Sequence, residues 1–350
     1  MSDKGLKTLF FPQNLHGNQD AFYGQCQCME FLDITGNQVT PQTVAKIYHK
    51  HHTIFRNLRY DLPFDVILEL MDMNDFDGIK LQTDSLQFFD NSNLNVHVDQ
   101  LNPNILENAS LMAPNVKIID FTLSYSNNRL GECVRQIGLF KHLQKLCLNM
   151  ETSTLEEQTN SHICQKGLNP ILSEIGEQLK ILHLSNICDL DASVVFNSCP
   201  NLEEMELSAN SYVTETIQYC LPDNYPLKRI NIFFELGGEA DINHPNSSFF
   251  IFLGYAKNLE AFSFEHARNF NDELLTEVCQ LNSFQNLKQI TLTECHNITM
   301  FTLEEEILSK NNIPLEFGAF HHCNQITKAD AQRYMKYVEH NKYSVRVQWS

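Results

Sequence analysis

The chain has 350 residues, of which 43% are hydrophobic and 19% are charged, a composition typical of a folded globular protein. Its 43 acidic and 25 basic residues give a formal net charge of -18, which disfavours direct binding to nucleic acid or to an anionic membrane. Residues 1–14 contain no apolar core long enough for a signal peptide, and nowhere do 18 apolar residues follow one another. We therefore expect a protein of the cytosol or nucleus, in which the eleven cysteines are reduced rather than paired.

A strand-like pattern recurs along the whole chain, with apolar residues at positions 1, 4 and 6 of each unit and a mostly polar position 5. This alternation predicts half-buried strands. The mean spacing of the units is about 28 residues, within the range of solenoid repeats. The pattern predicts one array over residues 1–350, with units that begin near residues 6, 29, 55, 91, 116, 143, 179, 202, 227, 259, 287 and 315, and a C-terminal closing strand over residues 343–349.

Helical patterns follow several of these strands. Capping and periodicity predict helices over residues 41–52, 131–140, 192–199, 272–282 and 328–340. Thr40 before Pro41 is typical of an N-cap ahead of a first-turn proline, and Thr302 with Glu305 fits a capping box. The unit therefore consists of a strand, a tight corner and a helix.

The corner at position 9 carries a repeated phrase. "CHNIT" begins at Cys295 and "CNQIT" begins at Cys323, 28 residues later. The thiols of these two cysteines are small, weak donors that suit a buried turn. Other units place asparagines at this position, and we expect them to form a ladder of amide hydrogen bonds: Asn14, Asn37 and Asn210. Thr299 and Thr327, which end the two phrases, are predicted to start the next helices.

Two segments resemble a known family. "SCPNLEEMELSAN", residues 198–210, and "LKQITLTECHNIT", residues 287–299, are similar to the cysteine-containing leucine-rich repeats of F-box/LRR proteins. The resemblance implies an α/β horseshoe of about twelve repeats, with a concave parallel sheet and convex helices. It also implies a substrate-recognition subunit of a cullin ubiquitin ligase, in which an N-terminal F-box binds the ligase adaptor and the horseshoe binds the protein to be ubiquitinated. Ile187, Glu235 and Ala267 depart from the family's cysteine at the corner.

The segment "DLPFDVILELMDMNDFDGI", residues 61–79, has two interpretations. Its Leu-Pro opening is typical of the first helix of an F-box. An F-box, however, should precede the repeats and continue into a second apolar helix with a tryptophan, and the only tryptophan is Trp349. The other interpretation makes the segment the helix of the repeat that begins at Phe55.

The candidate binding surface is the concave face, which we define by positions 3, 5 and 7 of the strands. Exposed aromatic side chains among charged ones are typical of interface anchors, so we expect a protein partner there. The alternative is a hydrated sheet face without a partner. The candidate residues are Lys145, His183, Glu204, Glu206, Arg229, Phe233, Glu265 and Phe317.

Other chemical signals point away from metal sites and catalysis. The clusters at residues 49–52, 321–323 and 26–28 contain histidine or cysteine, but each lacks the second pair of ligands at the spacing of a structural zinc site. Cys147 and His183 both occupy position 5, yet the sequence offers no oxyanion hole or pocket beside them. We expect no enzyme activity, no cofactor and no metal.

Two functions stay open from the sequence. The first is the ubiquitin-ligase receptor implied by the resemblance, with a cullin adaptor among its partners. The second is a free-standing repeat scaffold or inhibitor. The first predicted strand begins at Leu6 without an amphipathic cap, and an uncovered end of a solenoid invites association. From this we expect either that a longer form of the protein precedes Met1 or that this edge docks on a partner.

Overall fold

A computed structural model of the chain describes the residues in sixteen segments. These are 2–4, 31–34, 36–51, 57–60, 63–73, 79, 81, 83–89, 103–124, 129–151, 163–187, 190–209, 225–234, 250–308, 313–340 and 345–350. The predicted first strand at Leu6 and the asparagines Asn14 and Asn210 lie outside these residues, as do Cys26 and Cys28.

The described strands form two sheets, both parallel. A two-stranded sheet pairs β1 with β2. In the ten-stranded sheet, every strand is hydrogen-bonded to its neighbours in the chain, in the order β3 to β12, and the sheet does not close on itself. The bounds are β1 Phe31–Asp33, β2 Asn57–Arg59, β3 Ser85–Phe89, β4 Ile118–Leu123, β5 Lys145–Met150, β6 Ile181–Ile187, β7 Glu204–Ala209, β8 Arg229–Phe234, β9 Ala261–Glu265, β10 Gln289–Thr293, β11 Phe317–His321 and β12 Arg346–Trp349.

Helical segments alternate with the strands along most of the chain. The α-helices are α1 Pro41–His51, α2 Pro63–Asp72, α3 Pro103–Met112, α4 Leu130–Gln136, α5 Asn169–Ile175, α6 Ala192–Ser198, α7 Phe252–Tyr255, α8 Asp272–Leu281, α9 Met300–Leu303 and α10 Lys328–His340. Short 3-10 turns follow α4 and α5, and π-helical turns lie at Ile163–Leu168 and Glu304–Leu308. Helices that follow successive strands pack side by side. The predicted fold class, an α/β solenoid with an open parallel sheet, is confirmed.

The strands share one register, which lines up equivalent positions of the repeats in rows. Gln289 pairs with Ala261 on one side and with Phe317 on the other, and all three occupy position 3. Positions 4 and 6 are buried in β4, β6, β8, β9 and β10, whereas positions 3, 5 and 7 of these strands are half-buried or exposed. The register predicted from Val116 to Leu315 coincides with this ladder.

The unit predicted to begin at Asn91 is wrong. The strand that pairs with β4 is Ser85–Phe89, with Ser85 opposite Ile118, so position 1 of this unit is Thr83. The unit from Phe55 then has 28 residues instead of the predicted 36. Both stretches contain alternating apolar residues, and only the pairing with Ile118 separates them. Asn91 itself lies outside the described residues.

One hydrophobic core runs through the described repeats, from Ile34 to Val338. Its aromatic side chains cluster behind β8 and β9, where Phe250 lies 5.3 Å from both Phe264 and Phe270, measured between ring centroids. Phe264 and Phe270 are 5.1 Å apart. Aromatic pairs at such distances add stability beyond their buried area.

Hydroxyl side chains start the helices as the sequence predicts, with one exception. Thr40 Oγ1 accepts a hydrogen bond from Thr43 N at the start of α1. Thr299 Oγ1 accepts from Thr302 N at the start of α9, and Thr327 caps α10 in the same way with Asp330. The predicted capping box at Thr302 is wrong, because the helix begins one turn earlier and the box residue lies inside it.

Asparagine amides join neighbouring repeats, although not at the predicted corner. Asn201 Nδ2 donates to Glu177 O at 2.7 Å, and Asn286 Nδ2 donates to Lys257 O at 3.2 Å. Both asparagines immediately precede position 1 of their units. Asn37, the described member of the expected corner ladder, has a main-chain carbonyl that accepts from Val39 N at 2.9 Å.

The segment at residues 61–79 supplies a repeat helix. Its helical part, α2, lies between β2 and β3 and packs against α1 and α3. Phe64, Ile67 and Leu70 are fully buried in the common core. This geometry supports the interpretation in which the segment belongs to the repeat that begins at Phe55.

The two ends of the described array differ. At the C-terminal end, β12 is the edge strand, and Trp349 is 38% exposed while its Nε1 donates to Ile326 O at 3.0 Å. At the other end, Ser2 forms a parallel bridge with Gln38, and Asp3 accepts two hydrogen bonds from Thr40. Among the described helices, none combines the length and the apolar character required to cross a membrane.

We expect Leu292→Ala to lower the free energy of unfolding by about 2–5 kcal/mol, because Leu292 is fully buried at position 6 and its truncation opens a cavity. Thr291→Ala is the matched control on the half-buried neighbour, with an expected change of about 0.5 kcal/mol. Urea denaturation measures both. Equal effects of the two variants would contradict the register.

Gly176→Ala tests the close contact between repeats after α5. A Cβ atom at Gly176 would lie 2.3 Å from Ser198 O, a main-chain atom that cannot move alone, so we expect a loss of about 1–3 kcal/mol. Gly138→Ala is the control, since its Cβ would lie 3.0 Å from the mobile carboxylate of Glu174. Thermal unfolding that shows no difference between these two variants would disprove the contact.

Candidate functional site

The eight predicted residues lie on six strands of the ten-stranded sheet, at positions of the concave face. Lys145 lies on β5, His183 on β6, and Phe317 on β11. The remaining five lie on the three strands between, namely Glu204, Glu206, Arg229, Phe233 and Glu265. Each is half-buried except Arg229, which is exposed.

Glu204 is the centre of one ionic group on this face. Its Oε1 lies 3.0 Å from His183 Nε2, and its Oε2 lies 3.7 Å from Arg229 Nη1. The three residues come from β6, β7 and β8, whose strands are adjacent. Glu204 therefore contacts both neighbours, and its ion pair with Arg229 partly neutralises the arginine.

A second ionic ladder borders the concave face at position 2. Lysine and glutamate alternate there over six consecutive units: Lys180, Glu203, Lys228, Glu260, Lys288 and Glu316. Lys228 Nζ donates to Glu203 Oε2 at 2.6 Å, and Lys288 Nζ donates to Glu260 Oε2 at 2.9 Å. These hydrogen bonds lower the pKa of both carboxyls. The stabilisation is therefore present at neutral pH and is lost as the pH falls through the lowered pKa.

The corner after the strand has a distinctive backbone conformation. Position 8 has a positive φ in five units, at Gly36, Asn186, His266, Glu294 and His322. The main-chain N–H of His266 donates to Thr293 O at 2.9 Å, and that of Glu294 donates to His321 O at 2.8 Å. The left-handed residue thus extends the ladder between repeats by one hydrogen bond and turns its side chain toward the edge of the concave face.

The cysteine at position 9 completes this corner. Cys295 Sγ donates to Phe264 O at 3.5 Å, and Cys323 Sγ donates to Leu292 O at 3.5 Å. Each carbonyl belongs to position 6 of the preceding repeat. Both thiols are buried. The expectation that these cysteines act as small buried donors is confirmed.

His266 links the corner to the concave face. Its Nδ1 lies 3.0 Å from Glu294 Oε2, and its Nε2 lies 3.6 Å from Glu265 Oε1. Its ring meets that of Phe233 at a centroid distance of 5.5 Å and an interplanar angle of 80°. Phe233, Glu265, His266 and Glu294 therefore form one cluster, which we call the Phe233 cluster.

The structure brings some predicted residues together and leaves others apart. Phe233 and Glu265 are cross-strand partners in the Phe233 cluster, and Glu204 groups with His183 and Arg229. Phe317 lies on β11, away from both groups, and Lys145 lies on β5, next to the strand of His183 but outside the Glu204 group. His266 and Glu294 are not among the predicted residues, because position 8 lies outside the positions that define the concave face. The signal that points to position 8 is the recurrence of glycine, asparagine and histidine, which tolerate or favour a positive φ.

The described cysteines and histidines show no assembled metal site. Within the described segments, no group of three or more metal-ligating side chains comes together. His321 Nδ1 lies 2.6 Å from Ser350 Oγ, and the thiol of Cys323 is directed at main-chain carbonyls. The predicted clusters at residues 49–52 and 26–28 lie partly or wholly outside the described residues.

The thiol of Cys147 is poorly suited to nucleophilic attack. Burial raises the pKa of Cys147 to about 11, so that almost no thiolate exists at neutral pH. His183, its cross-strand neighbour, is bound to Glu204 instead. Burial likewise raises the pKa of Cys295 to about 12.

Of the comparisons with known proteins, only the one with solved structures gives a match. A scan against protein-family models gives no match, and a search of curated proteins gives none either. Among solved structures, the chain is similar to one from a crystal structure of the Rad7 and Elc1 complex in yeast, with 12% identity, coverage of 99% of this chain and 92% of that chain, and a TM-score of 0.31. The repeat architecture of the chain rests on the shared register of its strands. This identity and TM-score are too low to transfer a function or a partner.

Alkylation of the folded chain with iodoacetamide at pH 8 should modify Cys147 and Cys295 at least about tenfold more slowly than the half-buried Cys279, because only thiolates react and burial suppresses both access and ionisation. Peptide mapping by mass spectrometry gives the rate at each site. Denatured protein serves as the control, in which all three should react alike. Rapid modification of Cys147 in the folded chain would contradict its assignment as an inert thiol.

Proposed function

We propose that this protein binds another protein on the concave face of a leucine-rich-repeat array and performs no catalysis itself. The observation that carries the proposal is the row structure of the sheet, which places Phe233 beside Glu265 and diagonally across from Glu206, on a face whose opposite side is buried. A rigid strand scaffold holds such side chains in place before a partner arrives, which lowers the entropy cost of binding.

The composition of this face supports recognition of a protein. Half-buried aromatic rings lie among charged and small polar residues, a mixture typical of interface cores with polar rims. Ser208, the cross-strand partner of Phe233, and Ser263 on the neighbouring strand β9 have small side chains, which leave room beside Phe233 for a partner's side chains. We place the protein in the cytosol or nucleus, where its free thiols would remain reduced.

We further propose that the bound protein is a substrate for ubiquitination and that this chain acts in a cullin ubiquitin ligase. The support comes from the repeats that resemble those of F-box/LRR proteins, in residues 198–210 and 287–299. The buried thiol of Cys295 and its bond to the preceding repeat are consistent with that resemblance. An adaptor of the ligase would then be a second partner.

A free-standing scaffold or inhibitor is the second candidate. It is favoured by α2, since the segment with the Leu-Pro opening serves as a repeat helix between β2 and β3. In this case the concave face would bind a protein without any connection to ubiquitin.

Affinity purification with bulky variants tests the binding face. Ser263→Tyr with Thr291→Tyr fills two half-buried cross-strand positions on the concave face, and Gln280→Tyr with Gln332→Tyr adds the same rings to exposed helix positions as the control. The chains are crosslinked in cell extract and purified, and mass spectrometry measures the amount of each copurified protein. Partners of the concave face should be recovered with the native chain and the control, and their amount should fall at least about tenfold with the concave variant.

The same purification separates the two candidates. A cullin adaptor that copurifies with all three chains supports the ligase, because adaptor binding does not use the concave face. Partners that depend on the concave face without any cullin adaptor support the scaffold. Identical partners for the native chain and the concave variant would refute binding on this face.

A further inference from the structure

The Phe233 cluster contains an aromatic ring that is fixed before any partner binds. His266 is only 8% exposed, and its ring packs at 80° against that of Phe233. Glu294 holds His266 through the 3.0 Å contact with Nδ1, and the left-handed backbone of His266 is bonded to the next repeat. His266 is therefore held in place, and the Phe233 ring that packs against it is held in turn. The ring loses little conformational freedom when a partner binds.

Carboxylates lie on two sides of this ring. Glu265 on β9 is the cross-strand partner of Phe233. On the other side, the partner of Phe233 is Ser208 on β7, and Glu206 lies two residues before Ser208, diagonally across from Phe233. Glu206 makes no ion pair with any described residue, and no described lysine or arginine pairs with Glu265, whose Oε1 lies 3.6 Å from His266 Nε2. The ring is therefore bordered by negative charge that this part of the chain does not neutralise.

The carboxylates continue as a row across the concave face. Asp120 on β4, Glu206 on β7, Glu265 on β9 and Glu294 after β10 occupy positions 5 to 8. Six strand spacings separate β4 from β10, about 29 Å at 4.8 Å each, which an extended segment of about nine residues can cover. The net charge of -18 adds long-range attraction for a basic segment.

The cations of the concave face do not cancel this row. Arg229 Nη1 lies 3.7 Å from Glu204 Oε2, on the position 3 side of the face. Lys145 lies on β5, next to the strand of Asp120, so it can offset that carboxylate; it is three strands from Phe233, about 14 Å away at the usual strand spacing, and does not offset Glu206 or Glu265 beside the ring. An acidic segment would therefore meet repulsion along positions 5 to 8, and a purely apolar one would leave the carboxylates facing it without partners.

We infer that the concave face receives an extended basic segment of its protein partner, and that one arginine or lysine side chain of this segment lies against the Phe233 ring between Glu206 and Glu265. A cation within about 6 Å of an aromatic face is attracted by the ring, and two flanking carboxylates add direct ionic contacts. This inference rests on the proposed function, since it names the chemistry of the partner bound at that face.

Synthetic peptide pools test the chemistry without knowledge of the natural partner. Each pool contains random peptides of about nine residues, the length that spans the row, with arginine, lysine, leucine or glutamate fixed at the centre. Fluorescence anisotropy with the full chain measures their affinity at low and at physiological salt. The arginine and lysine pools should bind at least about tenfold more tightly than the leucine pool, and the glutamate pool should bind most weakly.

Matched variants separate local contacts from overall charge. Glu206→Gln with Glu265→Gln should weaken binding of the arginine pool about tenfold, whereas Glu273→Gln with Glu277→Gln, the same charge change on exposed positions of α8, should weaken it less than about threefold. Phe233→Leu keeps an apolar side chain but removes the ring, and it should reduce binding of the arginine pool several-fold more than that of the leucine pool. Circular dichroism confirms that each variant is folded.

Three results would overturn the inference. Equal losses in the two glutamine variants would show attraction by net charge alone. A preference for the leucine or glutamate pool that is lost in Phe233→Leu would show that the concave face binds a partner of other chemistry. The proposed function would then stand, and the basic segment would be rejected. Binding of no pool would also reject the basic segment, and the purification with the tyrosine variants would then decide the proposed function independently.

Discussion

The main-chain ladder between neighbouring repeats is the constraint on which the rest of this structure depends. Each strand must lie about 4.8 Å from the next, whereas the helices behind them require about 10 Å, so the array must curve toward its strands. The constant register, in which position 3 always pairs with position 3, follows from the same ladder. It converts a sequence period into rows of side chains, and these rows create both the core and the concave face.

The corner shows how one local requirement serves both stability and surface chemistry. A left-handed residue at position 8 allows one further hydrogen bond to the next repeat, as at His266 and Glu294. The same conformation directs these two side chains to the rim of the concave face, where they meet each other at 3.0 Å. The chemical cluster around Phe233 is thus built from positions that the fold already needs for its turns.

Much of the fold could be predicted from the sequence, because a solenoid repeats a simple burial pattern. The helices at residues 192–199 and 328–340 were predicted within one residue, since hydroxyl or carboxylate caps mark their starts. The unit at Asn91 could not be placed, because two nearby apolar runs fit the same template and only the pairing of Ser85 with Ile118 distinguishes them. Local pattern gives the type of an element but not its partner.

The candidate site was predicted in part for related reasons. Phe233 and Glu265 follow from strand alternation alone, but the role of His266 depends on a positive φ that alternation does not report. The alternating lysines and glutamates at position 2 become visible only when the units are aligned, as with Lys228 and Glu203. Interactions between repeats are therefore less predictable than those within a strand.

The serial pairing of strands has a mechanical consequence. Each strand of the ten-stranded sheet bonds only to its neighbours in the chain, so no strand joins distant parts of the sequence. A force applied to the two ends would therefore peel repeats away one after another, starting from an edge such as β12, instead of shearing the whole sheet at once. The protein would extend in small steps as single repeats unfold. It would shorten again when these repeats refold onto the part that remains folded.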